Sequence, residues 1–316
     1  VPPDPGPEPE VPTLATSLAF GVPSVEFPSG GKTVDVAVVA EGGEWAVAET
    51  PDWLAVTPGE GKGTLTADDN RRGSLRSGKL RITGAENVEA SLDVSQGNGA
   101  LILRLEVEAP ATVAAIPLHG QVSCTIDWGD GAVESIDAKI DGLGIGHPSH
   151  EYAAAGTYRV SVSGTVPSLS SIKLTDDQAL RLKAVEAWGA TGLEKMQYAF
   201  YRCAALESIP SPGPEAPFAR VTTFSKAFDS CDALREIPAD LFAGCTELTD
   251  LSSCFNDCDA LKSIPEHLLD DCTGVEKLSS IFAYCRGLES VPGRLFAACS
   301  KVTDLGYLFT ACESLR

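Results

Sequence analysis

Two rhythms of apolar and polar positions divide this chain. In the first, side chains alternate with a period of two over short runs: residues 32–38 (KTVDVAV), 79–83 (KLRIT), 91–95 (SLDVS) and 101–107 (LILRLEV). Successive side chains of a strand point to opposite faces, so each run predicts a strand with one buried face. Gly, Pro and Asn punctuate the runs at about 8–12 residues, the spacing of antiparallel β-sandwiches. The second rhythm is longer. Leu234, Leu261, Leu288 and Leu315 recur every 27 residues, and Phe228, Phe255, Phe282 and Phe309 keep the same period. Pro238, Pro265 and Pro292 follow it. So do two cysteine columns, one of Cys231, Cys258, Cys285 and Cys312, the other of Cys245, Cys272 and Cys299. A looser copy precedes them at an offset of 28: Phe200, Cys203, Leu206, Ile209 and Pro210, with Phe218 in the place of Cys245. An earlier, degenerate unit begins near Leu182.

A unit of this length cannot bury an apolar face by itself, so the copies are expected to stack and share a core as a solenoid. The segment Leu-x-x-Ile-Pro is short and stopped by proline, which predicts the strand of each unit. Phe-x-x-Cys predicts a tight turn, and Leu248-x-x-Leu251 with its copies the opposite wall. Ten cysteines would suggest disulfides in a small secreted chain, but nine of these lie after residue 200 and in columns. Stacked units stand about 4.8 Å apart, too wide for the roughly 3.8 Å Cβ separation of a disulfide, so buried, unpaired thiols are expected. Disulfide and metal readings stand beside that one, though no Cys-x-x-Cys occurs. On these residues, the units resemble the leucine-rich repeats of the BspA type, which share the core Phe-x-x-Cys-x-x-Leu-x-x-Ile. The resemblance covers about residues 182 to 316. It implies a bacterial surface protein that binds host proteins or other cells.

Residues 17–98 are expected to form a first sandwich. Trp45-x-Val47, Asp52-Trp53-Leu54-x-Val56, Asn70, Arg76-x-Gly78 and Val94-x-Gln96 resemble the BACON module of Bacteroidetes surface proteins, which implies a role in carbohydrate binding. Trp45 and Trp53 are the candidate platforms, because an aromatic face can stack on a sugar ring. Their alternation with Val47 and Val56 places them instead in the core. Gly59, Gly61 and Gly63 lack the Gly-Lys-Ser/Thr ending of a phosphate loop and predict a hairpin turn.

In residues 99–175, Ile126-Asp127-Trp128-Gly129-Asp130-Gly131, His150-Glu151-Tyr152 and Gly156-Thr157-Tyr158-Arg159-Val160 resemble the PKD domain, an immunoglobulin-like sandwich. That resemblance implies an architectural motif, with Asp130-Gly131 in a tight turn and His150 bonded to nearby backbone or carboxylate. A long connection containing Gly142, Gly144 and Gly146 separates the two halves. Asp127 and Asp130 could bind calcium, but they lack the ligand spacing of an EF-hand loop.

Composition narrows the function. The chain has 316 residues, 43% of them hydrophobic, enough for several packed cores. Its net charge of −20 argues against nucleic acid and against anionic lipid as partners. No apolar run approaches the roughly 18 residues of a membrane span. The opening VPPDPGPEPEVP has neither the basic nor the apolar stretch of a signal peptide and reads as a stiff tether. A lipid-bearing cysteine upstream would make the protein an outer-membrane lipoprotein on the extracellular face. The four histidines, His119, His147, His150 and His267, belong to no catalytic or metal motif.

The chain is therefore expected to be multidomain and mainly β. A tether (1–16) leads to two immunoglobulin-like β-sandwiches (17–98 and 99–175), followed by a leucine-rich repeat solenoid (176–316). The expected function is non-enzymatic, without cofactor or metal: recognition of a host or bacterial surface protein through the solenoid. Glycan capture through the first sandwich, within a polysaccharide-utilisation system, is the alternative. The pairs between the Leu and Ile of each unit are expected to face solvent and contact the ligand. These are Glu207 and Ser208, Arg235 and Glu236, Lys262 and Ser263, and Glu289 and Ser290, with Trp45 and Trp53 added for the sugar reading.

Overall fold

The computed structural model describes residues 14–27, 31–68, 70, 76–85, 88–96, 99–141, 146–213 and 215–316. Most of the expected tether lies outside them, as do Gly142 and Gly144. The chain is mainly β, in several sheets, and forms two compact units, 1–98 and 99–316.

In the first unit, β1 (Ser17–Phe20), β3 (Lys32–Glu41), β6 (Lys62–Ala67) and β5 (Leu54–Gly59) form one four-stranded sheet in that order. A second is ordered β2 (Ser24–Phe27), β8 (Glu89–Gln96), β7 (Arg76–Thr83) and β4 (Ala46–Glu49). The period-two alternation sends Val36, Val38, Leu65, Leu80, Ile82, Leu92 and Val94 into one core with Phe27 and Leu54. Gly59 pairs with Lys62, so β5 and β6 join through Glu60 and Gly61 alone. Gly61 takes φ +67°, open to glycine at no steric cost. Gly63 leaves room for Trp45, since a Cβ there would stand 3.2 Å from the indole ring.

The second unit is built on a sheet ordered β12 (Val133–Ile140), β11 (Leu118–Asp127), β14 (Gly156–Thr165), β9 (Leu101–Val107) and β16 (Leu182–Ala187). β15 (Ser168–Leu169) also pairs with β11, and β10 (Thr112–Ala115) pairs with β13 (Ser149–Tyr152). Trp128 and Tyr152 are buried, and the Tyr152 hydroxyl donates to the Trp128 carbonyl at 2.9 Å. His150 stacks on Trp128 and stands 2.7 Å from the Asp130 carboxylate. Asp127 and Asp130 each accept a backbone N–H two residues on, from Gly129 and Ala132, which closes the turn between β11 and β12.

The expected division near residue 176 is not a break in the packing. A short helix, α1 (Asp176–Leu180), starts there on a reciprocal cap between Thr175 and Gln178. It hands the chain to β16, which pairs antiparallel with β9 and bridges in parallel from Ala184 to Ser208. One hydrophobic core accordingly runs from Leu101 through Leu182 and Phe200 to Cys299.

Among the described residues no strand follows β16. The strands expected at Leu-x-x-Ile-Pro are reduced to single bridges such as Ser263 to Ser290. Only two residues separate the buried Leu and Ile, and the next residue, proline, has no N–H to donate. Other ladders tie the 27-residue units together. The N–H groups of Lys226, Phe228 and Ser230 donate to the carbonyls of Ser252, Cys254 and Asn256 at 2.9, 2.9 and 2.8 Å. Lys226 and Ser230 are left-handed, with φ +56° and +62°, and their equivalents Ser253 and Asp257, then Ser280 and Tyr284, repeat this. The rings of Phe200, Phe228, Phe255, Phe282 and Phe309 stack within 5° of parallel, with centroids 5.4 to 6.0 Å apart.

Candidate functional site

Three units turn between a buried Leu and a buried Ile, and the fourth between buried Leu288 and half-buried Val291, so the two residues between them are forced outward. All eight residues expected at these positions are exposed. Glu207, Ser208, Arg235 and Glu236 come together in one groove with Ile209, Ile237 and Pro238, a space of about 330 Å³. Backbone bonds align the two units, the Arg235 N–H donating to the Glu207 carbonyl at 3.5 Å. Lys262, Ser263, Glu289 and Ser290 form the continuation. Ser263 bridges to Ser290, and the Glu289 N–H donates to the Lys262 carbonyl at 3.0 Å. They extend the row without lining the groove.

Charge along this row is uneven. Glu207 pairs with Arg104 of β9 at 3.4 Å, and Arg104 also reaches Glu186 of β16. Among the described residues no ion pair engages the side chains of Arg235 or Lys262. Nor does one engage Glu236 or Glu289, so neighbouring units present unpaired charges of both signs. The apolar edge beside them is provided by Ile209, Ile237 and Pro238.

The two tryptophans belong to the other unit, and neither presents an open platform. Trp45 is only 8% exposed, and its indole N–H donates to the Gly59 carbonyl at 3.3 Å. Trp53 has the Arg76 guanidinium 4.9 Å above its ring, and the Phe27 ring meets it edge-on. Arg76 is itself fixed by the Gln96 side chain at 2.8 Å. Beside Trp45 lies an open cleft of about 820 Å³, bounded by Val39, Glu44, Pro58 and Glu60.

No family model matches the chain. No curated protein matches it. Among solved structures, it is similar to a Bacteroides ovatus GH5 xyloglucanase in complex with a XXXG heptasaccharide, at 16% identity and a TM-score of 0.24. That likeness covers 38% of this chain and 30% of the xyloglucanase, so the chain spans less than a third of that protein's length. It is also similar to a chimeric titin Z1Z2 functionalized with a KLER exogenous peptide from decorin, at 15% identity and a TM-score of 0.20, covering 47% of this chain and 90% of that one. At these scores neither likeness bears on function.

The periodic reading missed a third depression. It joins His119 and Ser168 of the sheet to Lys195 and Tyr198 of the segment between β16 and Phe200. His119 lies 76 residues before Lys195, outside any repeat, and no spacing in the sequence connects the two. The buried cysteines are chemically quiet. Burial pushes the thiols of Cys203, Cys245 and Cys285 up to about 12, far from the range of a nucleophilic thiolate.

Proposed function

We propose that this chain is a non-enzymatic recognition protein of the cell surface that holds a macromolecular partner across the exposed edge of its repeats. In this reading the 27-residue units form a leucine-rich repeat solenoid of the BspA type, preceded by BACON-like and PKD-like sandwiches that act as spacers. A lipid anchor upstream would tether it to the outer membrane. The observation behind the proposal is the groove that collects Glu207, Ser208, Arg235 and Glu236 from two successive units. A partner that crosses several units gains contacts additively, as ligands of repeat proteins do. The unpaired Arg235 and Lys262, beside the equally unpaired Glu236 and Glu289, favour a protein surface of complementary mixed charge.

The test is the double charge swap Arg235→Glu with Lys262→Glu, assayed for binding to host-cell or matrix proteins. Loss of binding with an unchanged melting curve supports the reading, and unchanged binding removes this face from consideration. Glycan capture through the first sandwich is the second reading, and the cleft beside Trp45 is the observation that favours it. Glycan-array binding that survives the charge swap and is lost in Glu44→Ala with Glu60→Ala would establish it.

A further inference from the structure

The third depression has a built geometry. His119 of β11 pairs directly with Ser168 of β15, and Ser168 bridges in parallel to Lys195. Residues opposite one another on neighbouring strands share a face, with Cβ atoms about 4.5–5.5 Å apart. An imidazole, a hydroxyl and an ammonium therefore stand in one row. Gln197 and Tyr198 continue the wall beyond Lys195, and Ile172, 46% exposed, supplies an apolar flank. The space is about 480 Å³, within the roughly 300–1,000 Å³ of small-molecule sites.

Its charge differs from that of the whole molecule. Glu194 is the one carboxylate in the wall, and Arg220 engages it as an ion pair. Among the described residues no carboxylate engages Lys195. Lys173 follows Ile172 in the chain and is exposed. The depression is thus locally cationic on a strongly acidic chain. A bare anion would use the ammonium alone. The hydroxyls of Ser168 and Tyr198 and the Gln197 amide line the same space and add donors and acceptors of the kind a polyhydroxylated ring uses.

We propose that this depression binds a small carboxylate-bearing polyol, the class to which an acidic sugar residue belongs. Lys195 and His119 receive the carboxylate. Ser168, Gln197 and Tyr198 receive the hydroxyls, and Ile172 lies against the ring carbons. The site is separate from the groove at Glu207 and Arg235 and does not depend on that groove's role.

The test is calorimetric titration of the full chain with D-galacturonate, alongside D-galactose, acetate and inorganic phosphate. Saturable binding of galacturonate in the millimolar range is expected, with each comparator at least about tenfold weaker. Lys195→Gln should weaken galacturonate by about tenfold or more at an unchanged melting temperature. Lys195→Arg should retain most of the affinity, and the Arg235→Glu, Lys262→Glu chain should bind like the parent. Absence of galacturonate binding overturns the proposal. So does equal binding of acetate or phosphate, which would mark a simple anion site, or an unchanged affinity in Lys195→Gln.

Discussion

The thiol of Cys258 donates to the carbonyl of Phe228, one unit back, at 3.2 Å. Cys231 does the same to Phe200, Cys285 to Phe255 and Cys312 to Phe282, at 3.2, 3.0 and 3.1 Å. All ten cysteines are free thiols. The column is therefore a ladder of weak donors, each satisfying a carbonyl in the unit before it. Cys258→Ala removes both the donor and a buried sulfur. A loss of about 1–2 kcal/mol is expected from urea unfolding. A variant as stable as the parent would mean that the thiol contributes neither packing nor a bond.

The same burial makes the fold sensitive to alkali. Cys203, Cys245 and Cys285 have thiols raised by burial from 9.0 to about 12. In the unfolded chain they ionise first, so their contribution to stability is complete below pH 9.0 and is lost as pH climbs towards 12. Buried Tyr152 is raised too and acts in the same direction. Denaturation midpoints should be level up to about pH 9 and fall beyond it. A midpoint still level well above that value would contradict neutral, buried thiols.

Phe255 sits between Phe228 and Phe282, with ring centroids 5.4 and 5.6 Å away. Phe255→Ala opens a gap in the middle of the stack and should cost about 3–5 kcal/mol. Since the second unit has one continuous core, its melting should shift as a whole while that of residues 1–98 stays in place. Calorimetry would resolve the two transitions, and a shift of the first would contradict the division.

Ser253 has φ +54° and its N–H donates to the Ser279 carbonyl at 2.8 Å. β-branched residues are the least tolerant of this region, so Ser253→Val should destabilise by about 1–2 kcal/mol. Ser252→Val, one residue earlier and without a positive φ, provides the control. Equal effects at the two positions would show that side-chain size, not backbone conformation, is responsible.

Limited proteolysis should cut near residue 98, between the two units, and spare the region around 176. Leu182 and Val185 just beyond it are buried in the shared core. Early cleavage at 176 would restore the boundary that the change from period-two strands to 27-residue repeats suggests.

The readable part of the fold was local or periodic. Alternation in KTVDVAV marked β3, which has one buried face, and Leu103 to Val107 marked β9, where Arg104 and Glu106 alternate with buried residues. The spacing of Phe228, Phe255 and Phe282 marked the stack because each unit repeats the same environment. The pairing of β16 with β9 was not legible, since it joins residues some eighty positions apart and neither run names its partner. α1 was overlooked although its signal is present: Thr175 followed three residues later by Gln178 is a capping box. At the proposed edge, the outward pairs from Glu207 to Ser290 followed from the inward Leu and the Ile or Val around them. The covering of Trp53 by Arg76 did not, because it depends on how β7 crosses a loop more than twenty residues away.

β16 belongs at once to the sheet, through β9, and to the first 27-residue unit, through Ser208. As the chain leaves the ribosome, this strand emerges before any later unit does. Each new unit then finds a finished edge to settle on and closes a loop of one repeat length, at the modest entropy of a short loop. Growth from one prepared end has a direction, and a fault in an early unit is inherited by all that follow, whereas a fault in a late one is confined to the tip.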